Sequence, residues 1–168
     1  MLIVYTGNGK GKTTAALGLM LRAWGHGLAP CVIQFLKDEQ GRWGETLAAE
    51  RLDIPWYATG AGYTFTTENL EHDRELAQRG WQRAQELIAS GAYDLVILDE
   101  FTYVLAFGWL ALPEVLAWLV EHATRTDIVI TGRSAPAELV AAADLVTEMQ
   151  EVRHPYYSGV EARKGIEF

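Results

Sequence analysis

The sequence predicts a single α/β domain: three layers, with a mainly parallel sheet covered by helices. Three observations carry this. Short apolar or β-branched runs alternate with longer stretches of helical periodicity. Two of the runs, Asp94–Asp99 (DLVILD) and Asp127–Thr131 (DIVIT), are apolar almost throughout, as strands buried on both faces are. The length, 168 residues, suits one domain (1–168) and leaves no room for a second core. Hydrophobic residues at 49% and charged residues at 21% support a packed core and exclude disorder.

The elements follow in order. Leu2–Thr6 is the first strand. Gly11 to about Gly25 reads as helix, with Ala15, Ala16, Leu19, Met20 and Ala23 on one face. Pro30–Lys37 (PCVIQFLK) is a strand, Gly44–Leu52 a short helix and Ile54–Ala58 a short strand. Gly60–Asn69 (GAGYTFTTEN) reads as a loop. Glu68–Ser90 is a long amphipathic helix turning Leu76, Gly80, Ala84, Leu87 and Ile88 inward, and Gly91 stops it in the left-handed conformation. After the strand Asp94–Asp99 comes the most apolar tract, Phe101–Val120, whose only charge is Glu114. Gly108 and Pro113 interrupt it, so it reads as two short buried helices and not a membrane span. The second runs Pro113–Thr124, with proline in its first turn. Asp127–Thr131 is a strand, Pro136–Ala143 a short helix and Asp144–Val152 the last strand. A loop, HPYYSG, leads into the terminal segment.

Charge and cysteine usage narrow the function. Lys+Arg 14 against Asp+Glu 22 gives −8, which argues against binding nucleic acid through its phosphates. A local basic pocket for a small polyanion remains compatible. The single cysteine, Cys31, excludes an internal disulfide framework and a Cys-rich zinc site, and fits a reducing compartment. The N-terminal apolar run is about five residues, too short for a signal peptide. The expectation is a cytoplasmic protein with no membrane or nucleic-acid partner. His26, His72, His122 and His154 show no metal-ligand spacing.

Residues 6–14 read T-G-N-G-K-G-K-T-T, after a strand and before a helix. Gly11-Lys12-Thr13 is a P-loop ending. Glycines let backbone N–H groups turn toward phosphate oxygens, and the helix start points its positive end at the anion. Lys12 supplies a cation, and the Thr13 hydroxyl is placed to ligate Mg²⁺, or Mn²⁺ in its stead. The candidate nucleotide-binding set is Gly7, Asn8, Gly9, Lys10, Gly11, Lys12, Thr13 and Thr14; Lys10 is either solvated or phosphate-directed. The common pattern has glycine five places before Gly11, where this chain has Thr6. Leu95–Glu100 (LVILDE) ends in two carboxylates, Asp99 and Glu100, at the carboxyl end of a strand, where they can face Thr13 and the metal. Arg133, in T-G-R, is either a phosphate or ribose ligand or an ordinary surface arginine. Tyr63 and Phe65, two apart, form either a flat apolar ligand face or part of the core. No N-K-x-D guanine-reading motif and no arginine-rich lid are present.

Together these stretches resemble the P-loop-type ATP:corrinoid adenosyltransferases, the cob(I)alamin or cob(I)yrinic acid a,c-diamide adenosyltransferases. The matching segments are Tyr5–Gly18, Gln34–Lys37, Trp43–Glu45, Gly60–Phe65, Tyr93–Glu100, Thr131–Pro136, Ala143–Met149, His154–Tyr156 and Gly165–Phe168, in order along nearly the whole chain. Thr6 itself agrees with the family. The resemblance implies a RecA-like fold, a homodimer, a flavoprotein reductase as electron donor, and transfer of the 5′-deoxyadenosyl group of ATP to Co(I) of a corrinoid with triphosphate leaving. It implies that Tyr63 and Phe65 pack under the corrin and displace the lower cobalt ligand, where relatives carry Phe and Trp. Thr102 falls where the family varies. Some relatives place a helical segment ahead of the first strand, so closure of this site is expected to come from elsewhere or to be weaker. The competing readings are a P-loop ATPase or kinase of another pathway, and a nucleotide-gated corrinoid carrier.

Overall fold

The computed structural model describes residues 1–38, 43–60 and 70–166. Its order is β1 (Leu2–Thr6), α1 (Lys12–Gly25), β2 (Pro30–Asp38), α2 (Gly44–Arg51), β3 (Trp56–Gly60), α3 (Leu70–Ala89), β4 (Leu95–Asp99), α4 (Phe101–Ala106), α5 (Leu112–His122), β5 (Asp127–Thr131), α6 (Ala137–Ala142) and β6 (Leu145–Glu148), then a 3₁₀ turn at Pro155–Ser158. Among the described residues six strands form one sheet in the order β3-β2-β4-β5-β1-β6, and every pairing is parallel. This helix-covered parallel sheet agrees with a RecA-like P-loop fold.

Strand alternation builds the three layers. On one face Leu2, Val4, Cys31, Ile33, Phe35, Val96, Leu98, Ile128 and Ile130 meet α3, α4, α5 and α6. On the other, Ile3, Val32, Ile97 and Val129 meet Ala16 and Met20 of α1 and Ala49 of α2. Strand β4, near the middle, is buried at every position. Aromatic rings anchor the first face: Trp81 lies 5.3 Å from both Phe101 and Trp118, and Phe35 lies 4.9 Å from Phe101. Cys31 is fully buried there, which pushes its thiol up to about 12.

Several boundaries and faces differ from the sequence reading. In α3, Gly80, Ala84, Leu87 and Ile88 are buried as expected, but Ala77 and Trp81 take the inward positions and Leu76 is half-buried. Gly91 ends that helix at φ 67. Strand β3 starts at Trp56 because Ile54 serves the core from the preceding turn. Helix α5 is half-exposed: Val115 and Leu119 are buried while Val120 is 49% exposed. Strand β6 stops at Glu148, four residues short of Val152, where the backbone leaves the sheet to meet the glycine loop. No helix among the described residues is long and apolar enough to cross a membrane. Tyr63 and Phe65 lie outside the described residues.

Candidate functional site

A cavity of about 760 Å³ opens at the carboxyl edge of the sheet. Its walls come from the loop after β1, the ends of β2, β4 and β5, the start of α2, and the terminal segment at Gly165 and Ile166. Of the sequence-predicted nucleotide residues, Gly9, Lys10, Gly11, Lys12, Thr13, Thr14 and Arg133 line it; Gly7 and Asn8 do not.

The glycine loop is shaped by a close neighbour. Gly7 has φ 94, and a Cβ there would run into the Met149 carbonyl oxygen. A Cβ on Gly9 would lie 2.7 Å from the Gln150 carbonyl group. The Gly9 amide donates to the Met149 carbonyl at 2.7 Å, so the chain after β6 clamps the loop. These two glycines therefore answer first to packing. Gly11, at φ 107, turns the chain into α1, whose first turn has no acidic residue and no side-chain cap. That leaves a helix start suited to an anion. The Thr6 hydroxyl accepts from the Ala135 amide at 3.1 Å, so this residue ties β1 to the loop after β5.

Lys12 is 8% exposed, and its ammonium donates to the carbonyls of Gly7 (2.9 Å) and Gly9 (2.7 Å). Burial lowers its pKa; Glu100 opposes this, Arg133 adds to it and Asp99 opposes it.

The acid pair divides its labour. Asp99, 1% exposed, accepts from the Thr131 hydroxyl at 2.6 Å on one oxygen and from the Gln34 amide at 2.8 Å on the other. It stands behind the cavity wall. Glu100 lines the cavity from a left-handed backbone, φ 61, and its amide donates to the same Thr131 hydroxyl at 3.0 Å. Its Oε2 is buried with no hydrogen-bond partner among the described residues. Burial and the neighbouring Asp99 push the Glu100 carboxyl up to about 7, against the pull of Lys12, Lys37 and Arg133. An orphaned, buried carboxylate oxygen on a cavity that Thr13 also lines suits a hard, oxygen-ligated divalent ion. No group of three His, Cys, Asp or Glu among the described residues could hold a metal.

Arg133 is held by its backbone. The Thr102 hydroxyl donates to its carbonyl at 2.6 Å, and Gly132 at φ 138 admits Thr102, which a Cβ would strike. This gives Thr102 a structural role. Sequence reasoning did not assign Lys37, Glu45, Tyr103, Gly165 or Ile166 to the site, nor Gln34 and Thr131 to its support. The available signal was a polar residue at a buried strand position, in VIQFL and DIVIT.

The fold agrees with the P-loop class of α/β proteins and carries an acid pair at the end of β4. More particularly, the chain belongs to the ATP:corrinoid adenosyltransferase BtuR/CobO/CobP family, which matches residues 1–168. It is 39% identical over 170 residues to a corrinoid adenosyltransferase of Escherichia coli (strain K12), covering 100% of this chain and 85% of that protein. It is 37% identical over 171 residues to one from Sinorhizobium sp, covering 100% and 80%. A third, from Pseudomonas aeruginosa, is 38% identical over 170 residues, covering 100% and 83%.

Proposed function

We propose that this chain transfers the 5′-deoxyadenosyl group of ATP to the reduced cobalt of a corrinoid and releases inorganic triphosphate. The observation that carries the reading is one cavity shared by the glycine loop, buried Lys12, Glu100 and Arg133, in a chain of this family. In the step, a cobalt–carbon bond forms at ribose C5′ as the C5′–O bond breaks, and the electron pair leaves with the triphosphate. The nucleophile belongs to the substrate, so the chain needs no nucleophilic side chain and no general base. Its work is to hold ATP in line and to meet the charge gathering on the departing phosphates.

Lys12 and the amides at the start of α1 take the phosphate oxygens, with Arg133 reaching from the loop after β5. Thr13 and Glu100 would hold Mg²⁺, or Mn²⁺ in its stead, and the ion would supply Lewis-acid stabilisation of negative charge on the phosphates. Asp99 positions Glu100 through Thr131. Tyr63 and Phe65 form the face under the corrin. The working unit is a homodimer, and a flavoprotein reductase delivers the electron that makes Co(I).

The test is direct. Incubation with ATP, Mg²⁺ and chemically reduced cobalamin should yield triphosphate and a light-sensitive cobalt–carbon product in equal amounts. ADP and phosphate without that product would instead mean γ-phosphate chemistry. Tight corrinoid binding with no bond formation under strong reduction would mean a carrier.

A further inference from the structure

Lys37 stands where strand alternation would not put it. In β2, Cys31, Ile33 and Phe35 face the α3–α6 layer, whereas Val32 faces the α1/α2 layer. Continued alternation would send Leu36 to the α1/α2 side and Lys37 into the α3–α6 core. The chain does the reverse. Leu36 turns left-handed at φ 66 and packs against the α3–α6 core. The register with β3 jumps from Phe35↔Thr59 to Asp38↔Gly60. Lys37 thereby emerges into the cavity that Thr13 and Glu100 line.

Gly60 makes this possible, since a Cβ there would strike the Leu36 carbonyl carbon and lie 2.6 Å from the Lys37 nitrogen. A leucine with positive φ is a strained choice, and bulges that re-aim a side chain recur beside active sites. Once redirected, Lys37 rests in a small socket. Its ammonium is 3.4 Å from Glu45 Oε1 and 5.4 Å from the centre of the Trp43 ring. That ion pair is long for a charge-assisted bond. Glu45 sits in the first turn of α2, where the helix start supports a carboxylate without the lysine.

We propose that Lys37 is a second, switchable ligand for the triphosphate chain of ATP: it rests on Glu45 and exchanges that carboxylate for phosphate oxygens when nucleotide enters. The identity of the ligand rests on the adenosyltransferase reading. Lys12 holds the phosphates from the loop side, and Lys37 from the β2 side.

The experiment is calorimetric titration of the full chain with inorganic triphosphate, and separately with hydroxocobalamin. Lys37→Ala should weaken triphosphate binding about tenfold or more, the loss of one charge-assisted hydrogen bond. Cobalamin affinity should not change. Lys37→Met, which keeps the stem over Trp43, should behave as Lys37→Ala does, and Lys37→Arg should retain most of the affinity. Glu45→Gln should bind triphosphate at least as tightly as the parent. Triphosphate affinity within about twofold of the parent in both Lys37→Ala and Lys37→Met would overturn the proposal. So would a loss confined to cobalamin, which would turn Lys37 toward the corrinoid, or a tenfold weakening in Glu45→Gln. Failure of the parent to make a cobalt–carbon bond would refute the activity while leaving the triphosphate titrations readable.

Discussion

The Thr131 hydroxyl is the joint between the two acids, and replacing it by valine isolates what that joint does. Valine keeps the shape of the side chain but deletes the donor to Asp99 at 2.6 Å and the acceptor for the Glu100 amide at 3.0 Å. Thr131 is fully buried, so water does not take over either role. A hydrogen bond to a charged group contributes about 1.5–3 kcal/mol, and a buried amide left unpaired costs about 1–3 kcal/mol. Gln34 still serves Asp99 at 2.8 Å, so the two losses do not add in full. We expect Thr131→Val to lose about 3 kcal/mol in urea unfolding, and about 6–12 °C in Tm for a chain of this size. The Glu100 backbone, held at φ 61 by that amide bond, would relax and move its carboxylate in the cavity. Adenosyl transfer should therefore fall by about tenfold or more at temperatures where the variant is folded. Thr131→Ser, which keeps the hydroxyl, should recover most of both. A valine variant within about 0.5 kcal/mol of the parent and equally active would refute the reasoning.

Three further outcomes can be measured. Lys12→Ala should slow turnover by about 2 kcal/mol or more in activation free energy, the loss of one electrostatic contact to the leaving group; an unchanged rate would remove Lys12 from the mechanism. Phe65→Ala should reduce reaction starting from Co(II) far more than reaction starting from chemically generated Co(I), and equal losses would leave the ring only a loop-holding role. In metal-free buffer with chelator, stability should fall as pH rises from about 4.5 toward 7, because the folded state holds the Glu100 proton more tightly than the unfolded chain does. The shift from 4.5 to about 7 corresponds to about 3 kcal/mol. Glu100→Gln should flatten that slope, and a slope unchanged in the variant would place its source elsewhere.

Alternation and periodicity are local properties, and what depends on them was legible. β1, β4 and β5 fall where their apolar runs end, and α1 starts one residue past Gly11. The glycine loop, Glu100 and Arg133 converge on one cavity as their positions at strand ends imply. What escaped depends on contacts distant in sequence. Nothing near Gly7 or Gly9 announces that Met149 and Gln150 press on them. β6 looks longer in sequence because nothing local marks Met149 as the point where the chain leaves the sheet and accepts from the Gly9 amide. Asp99 and Glu100 read as equivalent neighbours, yet one is spent on Gln34 and Thr131 from adjacent strands while the other faces the cavity. Periodicity alone does not single out Trp81 in α3, because its inward role depends on Phe101 and Trp118, contributed by α4 and α5.

A chain of net charge −8 must gather a polyanion locally, and the cavity shows how. Lys10, Lys12, Lys37 and Arg133 line it, opposed there by Glu45 and Glu100. Beyond a Debye length of about 8 Å the acidic remainder is largely screened, so a nucleotide responds chiefly to these groups. Neither carboxylate is a fixed cost. Glu45 already faces Lys37, and Glu100, whose Oε2 has no hydrogen-bond partner among the described residues, has its carboxyl pushed up to about 7 by burial and by Asp99, which weakens its hold on negative charge. Such a site stabilises negative charge on phosphate oxygens whichever bond to the phosphates breaks. The cations therefore do not choose between carbon and phosphorus; the position of the nucleophile does. That is why the identity of the released phosphate, triphosphate or orthophosphate, discriminates between the mechanisms when ATP affinity alone would not.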